Sequence, residues 1–548
     1  MTYELACRPG TVLAIEEDIN NRIRKKHIMA NKKIFASAVA PVAVADTINN
    51  AGGIAYAMTP KAALAQMVVT GVFNDTFYTD AASQLAEAQA LVAKVEPEFL
   101  AKLAVYAREK AFMKDMPAYL AAHLASRDVA LLSKIFDRVV DNGKMLRNFV
   151  QMVRSGQVGR KSLGTRPKKL VAGWLSRAND AQLLSASVGN APSLADVIRL
   201  AHPKAADANR DAFFGYILGR KVEQGALPAA VQQLEAFRAK QTNEVPKVPF
   251  ELLTSLSLTS ADWTVIARNA SWTQTRMNLN TFLRQGVFND REMVKLVAER
   301  LRSPEQVARA KVFPYQLLAA YLNVNSEMPS AIVNALQDAM ELAVANVPDF
   351  GCETAVLVDT SGSMKSPVTG HRGTATSKVR CVDVAGLFAS AVLRKNQDAK
   401  VVPFDTRVHE ASLNARDAIV TNAQKLARFG GGGTDCACAL ADLNRRGSRA
   451  ELVIYVSDNE SWVDTRSTWG RSRGTGVMDQ WKEYKRRVPK AKLVCIDVTP
   501  NTSTQARESH DILNVGGFSD EVFNVVARFA RNELTAGHWV GEIEKVQL

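Results

Sequence analysis

Two periodicities divide the chain. Up to about residue 345 apolar residues recur at helical spacing, whereas after Pro348 short β-branched runs alternate with amphipathic segments. Residues 97–110 (PEFLAKLAVYAREK) show the first pattern. Pro97 suits a first helical position, and Leu100, Leu103, Ala104 and Ala107 mark one face. Similar blocks follow at 118–124, 129–140, 145–153, 168–175, 194–200, 211–218, 229–239, 291–302, 315–322 and 331–345. They span about two to four helical turns, without an exact period and almost without strand signals. The pattern predicts an all-α array of stacked antiparallel helix pairs, HEAT-like and loosely repeated, whose curved surface suits an extended ligand.

Beyond Pro348 the strand candidates are 354–358, 399–404, 452–456 and 492–498. The helix candidates are 378–393, 417–428, 434–444 and 519–531. This alternation predicts a doubly wound, Rossmann-like α/β domain with a mostly parallel sheet. Two units are therefore expected, 1–349 and 350–548.

The first strand candidate leads into TAVLVDTSGSM (354–364), where an apolar run stops at Asp359 and Ser361 and Ser363 follow on alternate positions. In parallel sheets ligands sit beyond the carboxyl ends of the strands. Three oxygen donors without sulfur or imidazole suit a hard cation such as Mg²⁺. A polar turn capping the next helix uses the same residue types, and this loop alone leaves both readings open. Two further loops are expected at the same edge. FGGGGTD (429–435) brings Thr434 and Asp435 after four glycines and is not a nucleotide P-loop, because no GK[ST] follows; VSDNE (456–460) ends a strand at Asp458.

Composition narrows the field. The 548 residues are 47% hydrophobic, enough for ordinary globular cores. No apolar run reaches about 18 residues, so no membrane span is expected. The opening MTYELACRPG lacks a signal pattern, and a cytoplasmic location is expected. Cys7, Cys352, Cys381, Cys436, Cys438 and Cys495 form no CxxC pair, which disfavours a disulfide framework or a zinc site.

The net charge of +14 favours a polyanionic partner. Residues 21–33 (NRIRKKHIMANKK) are basic, as a solvated helix face often is. The stretch from Asn142 to Asn179 contains no Asp or Glu but carries Lys144, Arg147, Arg154, Arg160, Lys161, Arg166, Lys168, Lys169 and Arg177. Its centre, SGQVGRKSLGTRPKK, combines glycines, dense Lys/Arg and a helix start, a phosphate-contacting design. SLADVIRLAHPK (193–204) adds Arg199, His202 and Lys204 near a helix end, where His202 also suits a cap. Arg276, Arg284 and Lys311 accompany Trp263 and Trp272. Aromatics beside Arg can stack unpaired bases, although Trp in helical sequence commonly packs in a core. The basic segment 466–487 reads equally as an RNA or protein contact and as a solvated loop and helix.

DTSGSM, GGGGTD and SDNE, in that order, look like the metal-ion-dependent adhesion site of a von Willebrand factor A domain. By that resemblance Ser361, Ser363 and Thr434 coordinate Mg²⁺, while Asp359 and Asp458 act mainly through waters and hydrogen bonds. A sixth position is left for water or a partner carboxylate. With NNAGG (49–53), SLADVIRLAHPK, MNLNTFLRQGVF (277–288), SDNESW (457–462) and CIDVTPNTSTQA (495–506), nearly the whole chain resembles the Ro ribonucleoprotein autoantigen family, specifically its bacterial members, whose helical module is called TROVE. The resemblance implies a helical ring closed by the A domain. It implies a basic hole that admits 3′ single-stranded ends of misfolded RNAs, and a basic outer face for small noncoding Y RNAs. It further implies a monomer that works with a 3′→5′ exoribonuclease in RNA quality control and stress. The RNA-contacting candidates are then Arg154, Arg160, Lys161, Arg166, Lys168, Lys169, Arg199, His202 and Lys204. Leu194 stands where family members often carry His, so an outer-face contact is expected to be absent or shifted there. The alternative expectation is a scaffold gripping a partner carboxylate through the metal. A hydrolase is disfavoured, since no catalytic constellation or paired carboxylates accompany the site.

Overall fold

The computed structural model describes residues 42–548 except 72, 313, 345–346, 372–377, 464–473, 518 and 535–536. The basic segment 21–33, Cys7 and part of the basic segment 466–487 lie outside the described residues.

From Pro60–Thr70 to Ser330–Ala343 the chain is a succession of helices. Their starts follow local chemistry. Pro60, Pro97 and Pro304 occupy first-turn positions, and Asp80, Asp128 and Asn142 accept hydrogen bonds from first-turn amides. Reciprocal capping pairs stand at Asn179/Gln182, Ser193/Asp196, Thr259/Asp262 and Ser271/Gln274. The segment expected at 168–175 is the longer helix Thr165–Arg177, because Pro167 is tolerated in its first turn. The Trp-containing region forms two helices, Ser260–Asn269 and Trp272–Arg284, with both indoles buried and Trp272 Nε1 donating to the Leu301 carbonyl at 3.0 Å. These tryptophans are core, not stacking platforms.

The second unit holds five parallel strands, β3 (Thr354–Asp359), β4 (Lys400–Phe404), β5 (Leu452–Ser457), β6 (Lys492–Asp497) and β8 (Ile512–Gly516), in the order β4-β3-β5-β6-β8. Strand alternation sends side chains to two cores. Ala355, Leu357, Val453 and Tyr455 pack with the helices Cys436–Arg445 and Gly476–Arg487. Val356, Val358, Ile454 and Val456 join a core shared with Cys381–Lys395 and continuous with the helical array.

The two units interlock. A hairpin, β1 (Thr47–Ile48) and β2 (Ile54–Ala57), pairs with β7 (Ser503–Thr504) of the second unit. The last helix, His538–Glu544, returns to Pro97–Glu109, where Trp539 Nε1 donates to the Tyr106 hydroxyl at 3.0 Å. At the far end of the array Glu341 accepts from Arg394 at 2.7 Å and from the Ile419 amide at 2.7 Å. Lys311 Nζ lies 5.3 Å from the Phe112 ring centroid, so late and early helices also meet. The helical array thus leaves the α/β domain at one end, returns to it at the other, and touches itself.

Candidate metal centre and nucleic-acid interface

Because β3 and β5 are parallel neighbours in register, Asp359 and the Ser457–Asp458 turn emerge side by side. Asp359 Oδ1 accepts from the Ser361 amide at 2.8 Å, and Oδ2 accepts from Ser457 Oγ at 2.6 Å. The Ser361 and Ser363 hydroxyl oxygens stand 3.2 Å apart. The glycine loop lies against this turn. The Gly362 amide donates to the Gly432 carbonyl at 2.9 Å and the Gly431 amide to the Thr360 carbonyl at 2.9 Å. Gly430 has φ +68°, and a Cβ there would collide with Thr360, so glycine is required. Thr434 follows directly, its carbonyl accepting from the Trp462 amide at 3.1 Å.

The fold therefore gathers Asp359, Ser361, Ser363, Thr434 and Asp458 at one sheet edge, all buried. Burial and the neighbouring Asp359 charge push the Asp458 carboxyl well above its usual range. Burial raises that of Asp359, against hydrogen bonds from Ser457 and Ser361. Two buried carboxylates that repel each other among hydroxyl oxygens fit a hard divalent cation, which offsets both costs. Ser361, Ser363 and Thr434 would hold it, and the carboxylates would supply charge and accept hydrogen bonds.

Two supporting groups escaped the sequence reading. Asp405, just beyond β4, is desolvated, yet His409 at 3.0 Å and the Arg407 and Gly432 amides hold its carboxyl below the usual range. It anchors the glycine loop, and its signal was a second apolar run ending in Asp. Glu460, pushed up to about 7 by burial, accepts from Asn50 Nδ2 at 2.8 Å and the Ala51 amide at 3.1 Å. Asn49 Nδ2 donates to the Ser461 carbonyl at 2.7 Å, and a Cβ on Gly53 would strike that oxygen. NNAGG and SDNESW are thus two halves of one joint.

The basic candidates lie elsewhere, on the helical array. Arg154 ends the helix Gly143–Arg154, and Lys161, Arg166 and Lys169 are exposed beside it, with Lys168 half-buried. The helix Thr165–Arg177 starts at Gly164 without a side-chain cap or an acidic residue in its first turn. Gly156, Gly159 and Gly164 all have positive φ in the preceding loop. Arg160 turns inward and donates to the Ala125 carbonyl, and Arg147 is buried on the Val188 and Pro192 carbonyls. Arg199 is exposed and pairs with Asp196 at 3.2 Å; His202 is a left-handed C-cap (φ +48°). The Lys204 carbonyl accepts from Ser176 Oγ at 3.2 Å, at the far end of Thr165–Arg177. The two basic groups therefore flank one helix about 20 Å long, a track rather than a point.

Residues 354–530 match the family model of the Ro60 vWA domain. RNA-binding protein RO60 of Deinococcus radiodurans is 26% identical over 524 residues, covering 89% of this chain and 95% of that protein. The chain is thus similar to a Ro protein over most of its length, and its second unit matches the Ro-type A domain. RNA-binding protein RO60 of Caenorhabditis elegans is 22% identical over 256 residues, 45% of this chain and 38% of its own. The crystal structure of the Deinococcus radiodurans RO (RSR) protein superposes with a TM-score of 0.61 at 22% identity, covering 87% of this chain and all of that one. The all-α array joined to a doubly wound A domain is the Ro fold.

Proposed function

We propose that this chain is a non-catalytic RNA-binding protein. The observation that carries the reading is its similarity, over most of its length, to a protein named for RNA binding, in a chain whose helical array exposes a basic track drawn largely from the stretch 142–179, which contains no Asp or Glu. Arg154, Lys161, Arg166, Lys169, Arg199 and Lys204 contact phosphates, and the uncapped start of Thr165–Arg177 adds amide donors. Arg160 and His202 serve chiefly the array itself. In finer detail, 3′ single-stranded ends of misfolded RNAs enter the ring, and small noncoding Y-type RNAs bind the basic outer face. The bound RNA is handed to a 3′→5′ exoribonuclease in cytoplasmic RNA quality control. The A domain holds Mg²⁺ or another divalent cation through Ser361, Ser363, Thr434, Asp359 and Asp458.

The test is filter binding of single-stranded RNA across roughly 50 to 200 mM salt, where each phosphate contact contributes a slope of about −0.7 in log affinity against log salt. A steep slope that shallows when Lys161 and Lys169 are replaced by Ala is expected. No binding at the lowest salt, or RNA cleavage lost in Asp359→Ala, would overturn it.

A further inference from the structure

The edge of the metal loop is met from within the chain. Residues 74–79 of the helical array lie across it. Asn74 Nδ2 donates to the Thr369 carbonyl at 2.8 Å, and the His371 amide donates to the Asp75 carbonyl at 2.9 Å. Gly370, at φ +72°, permits the approach, since a Cβ there would come within 2.6 Å of Asn74 Cβ. Thr76 and Thr79 close the segment into a turn, the Thr76 amide donating to the Thr79 carbonyl at 2.8 Å. At its tip Tyr78 lines one small cavity together with Ser363 and Asp458. Burial, with the nearby charge of Asp458, pushes the phenol pKa up. The joint between NNAGG and Glu460–Ser461 fixes the array on the other side of Asp458. Between Tyr78, Ser363, Asp458, Asn50 and Asn501 a cavity of about 20 Å³ remains. It holds one water-sized group and excludes a side chain from a partner protein.

We propose that Tyr78 fills, in cis, the coordination position that an adhesion-type A domain leaves open, so that the metal loop is a latch joining the helical array to the A domain. This rests on the metal reading given above. A phenol oxygen is a weak hard donor, but its segment is tethered by the Asn74 and Asp75 contacts, which gives it a high effective concentration. An outside carboxylate gains the position only when the phenol is withdrawn or removed.

Magnesium titration calorimetry of the full-length protein tests this, with acetate as the carboxylate probe. In the wild type Mg²⁺ affinity is expected to be indifferent to acetate. In Tyr78→Ala, which removes the phenol and opens the position, it is expected to fall several-fold and to recover when acetate is added. The Mg²⁺-induced rise in melting temperature is expected to shrink in the same variant. Equal Mg²⁺ affinity and equal acetate response in the two proteins would overturn the latch while leaving the metal site intact. Absence of Mg²⁺ binding by the wild type would overturn the metal reading and the latch with it.

Discussion

Asn50 donates its side-chain amide to Glu460 at 2.8 Å, across 410 positions of sequence. That bond, with Asn49 on the Ser461 carbonyl, ties the first turn of the described chain to the loop that carries Asp458. Removing a donor from a buried acceptor costs about 1–3 kcal/mol. Asn50→Ala is therefore expected to lose stability in that range by urea denaturation. Gly53→Ala is expected to lose more, because its Cβ collides with Ser461 backbone. Wild-type stability in both variants would show that the joint does not hold the units together.

His123 gives the helical array an acid sensitivity. It lies buried in Asp115–Arg127 against the Tyr119 ring, with no hydrogen-bond partner on Nε2. Burial, with Arg127 nearby, pushes its pKa down to about 4. A depressed histidine contributes stability that is complete above the unfolded value near 6.5 and is lost as pH falls through the folded value. The contribution is about 3 kcal/mol at most between those limits. Urea midpoints measured from pH 7 to pH 4 are expected to fall in the wild type and to fall less in His123→Phe. The same slope in both would contradict this assignment.

Arg160 and Lys161 are adjacent in sequence but opposite in role. Arg160→Ala strips a donor from the Ala125 carbonyl near a helix end, so a lower melting temperature is expected. Lys161 is exposed, so Lys161→Ala is expected to change stability by no more than about 0.5 kcal/mol. Its RNA affinity is expected to drop, with the salt slope shallower by about 0.7. Paired melting curves and filter binding separate the two; a stability loss only in Lys161→Ala would invert the assignment.

Much of this architecture was legible in the sequence. Strands β3 to β6 announced themselves as apolar runs, and Asp359 and Asp458 as their polar ends. Thr434 was visible because a run of glycines ended at it. β8 was missed because Asn514 and Gly516 interrupt its apolar pattern; Asn514 is buried in a network with Thr504 and the Ala506 carbonyl. The two-residue strands β1 and β7 are too short to leave a period. Arg160 was read as an RNA contact because periodicity does not reveal which arginine is spent on a helix-end carbonyl. Tyr78 left no trace, since Ser363 and Asp458, which line the same cavity, lie in the other unit and nothing local marks the group.

The central claim is that the closed helical array selects an unstructured RNA end, with affinity supplied by its basic track. The most direct measurement is filter binding at moderate salt of two RNA duplexes that differ only in a 3′ single-stranded tail. The account predicts that the tailed duplex binds more tightly and that salt weakens its binding steeply. Equal binding of both duplexes, or binding of neither, would contradict it.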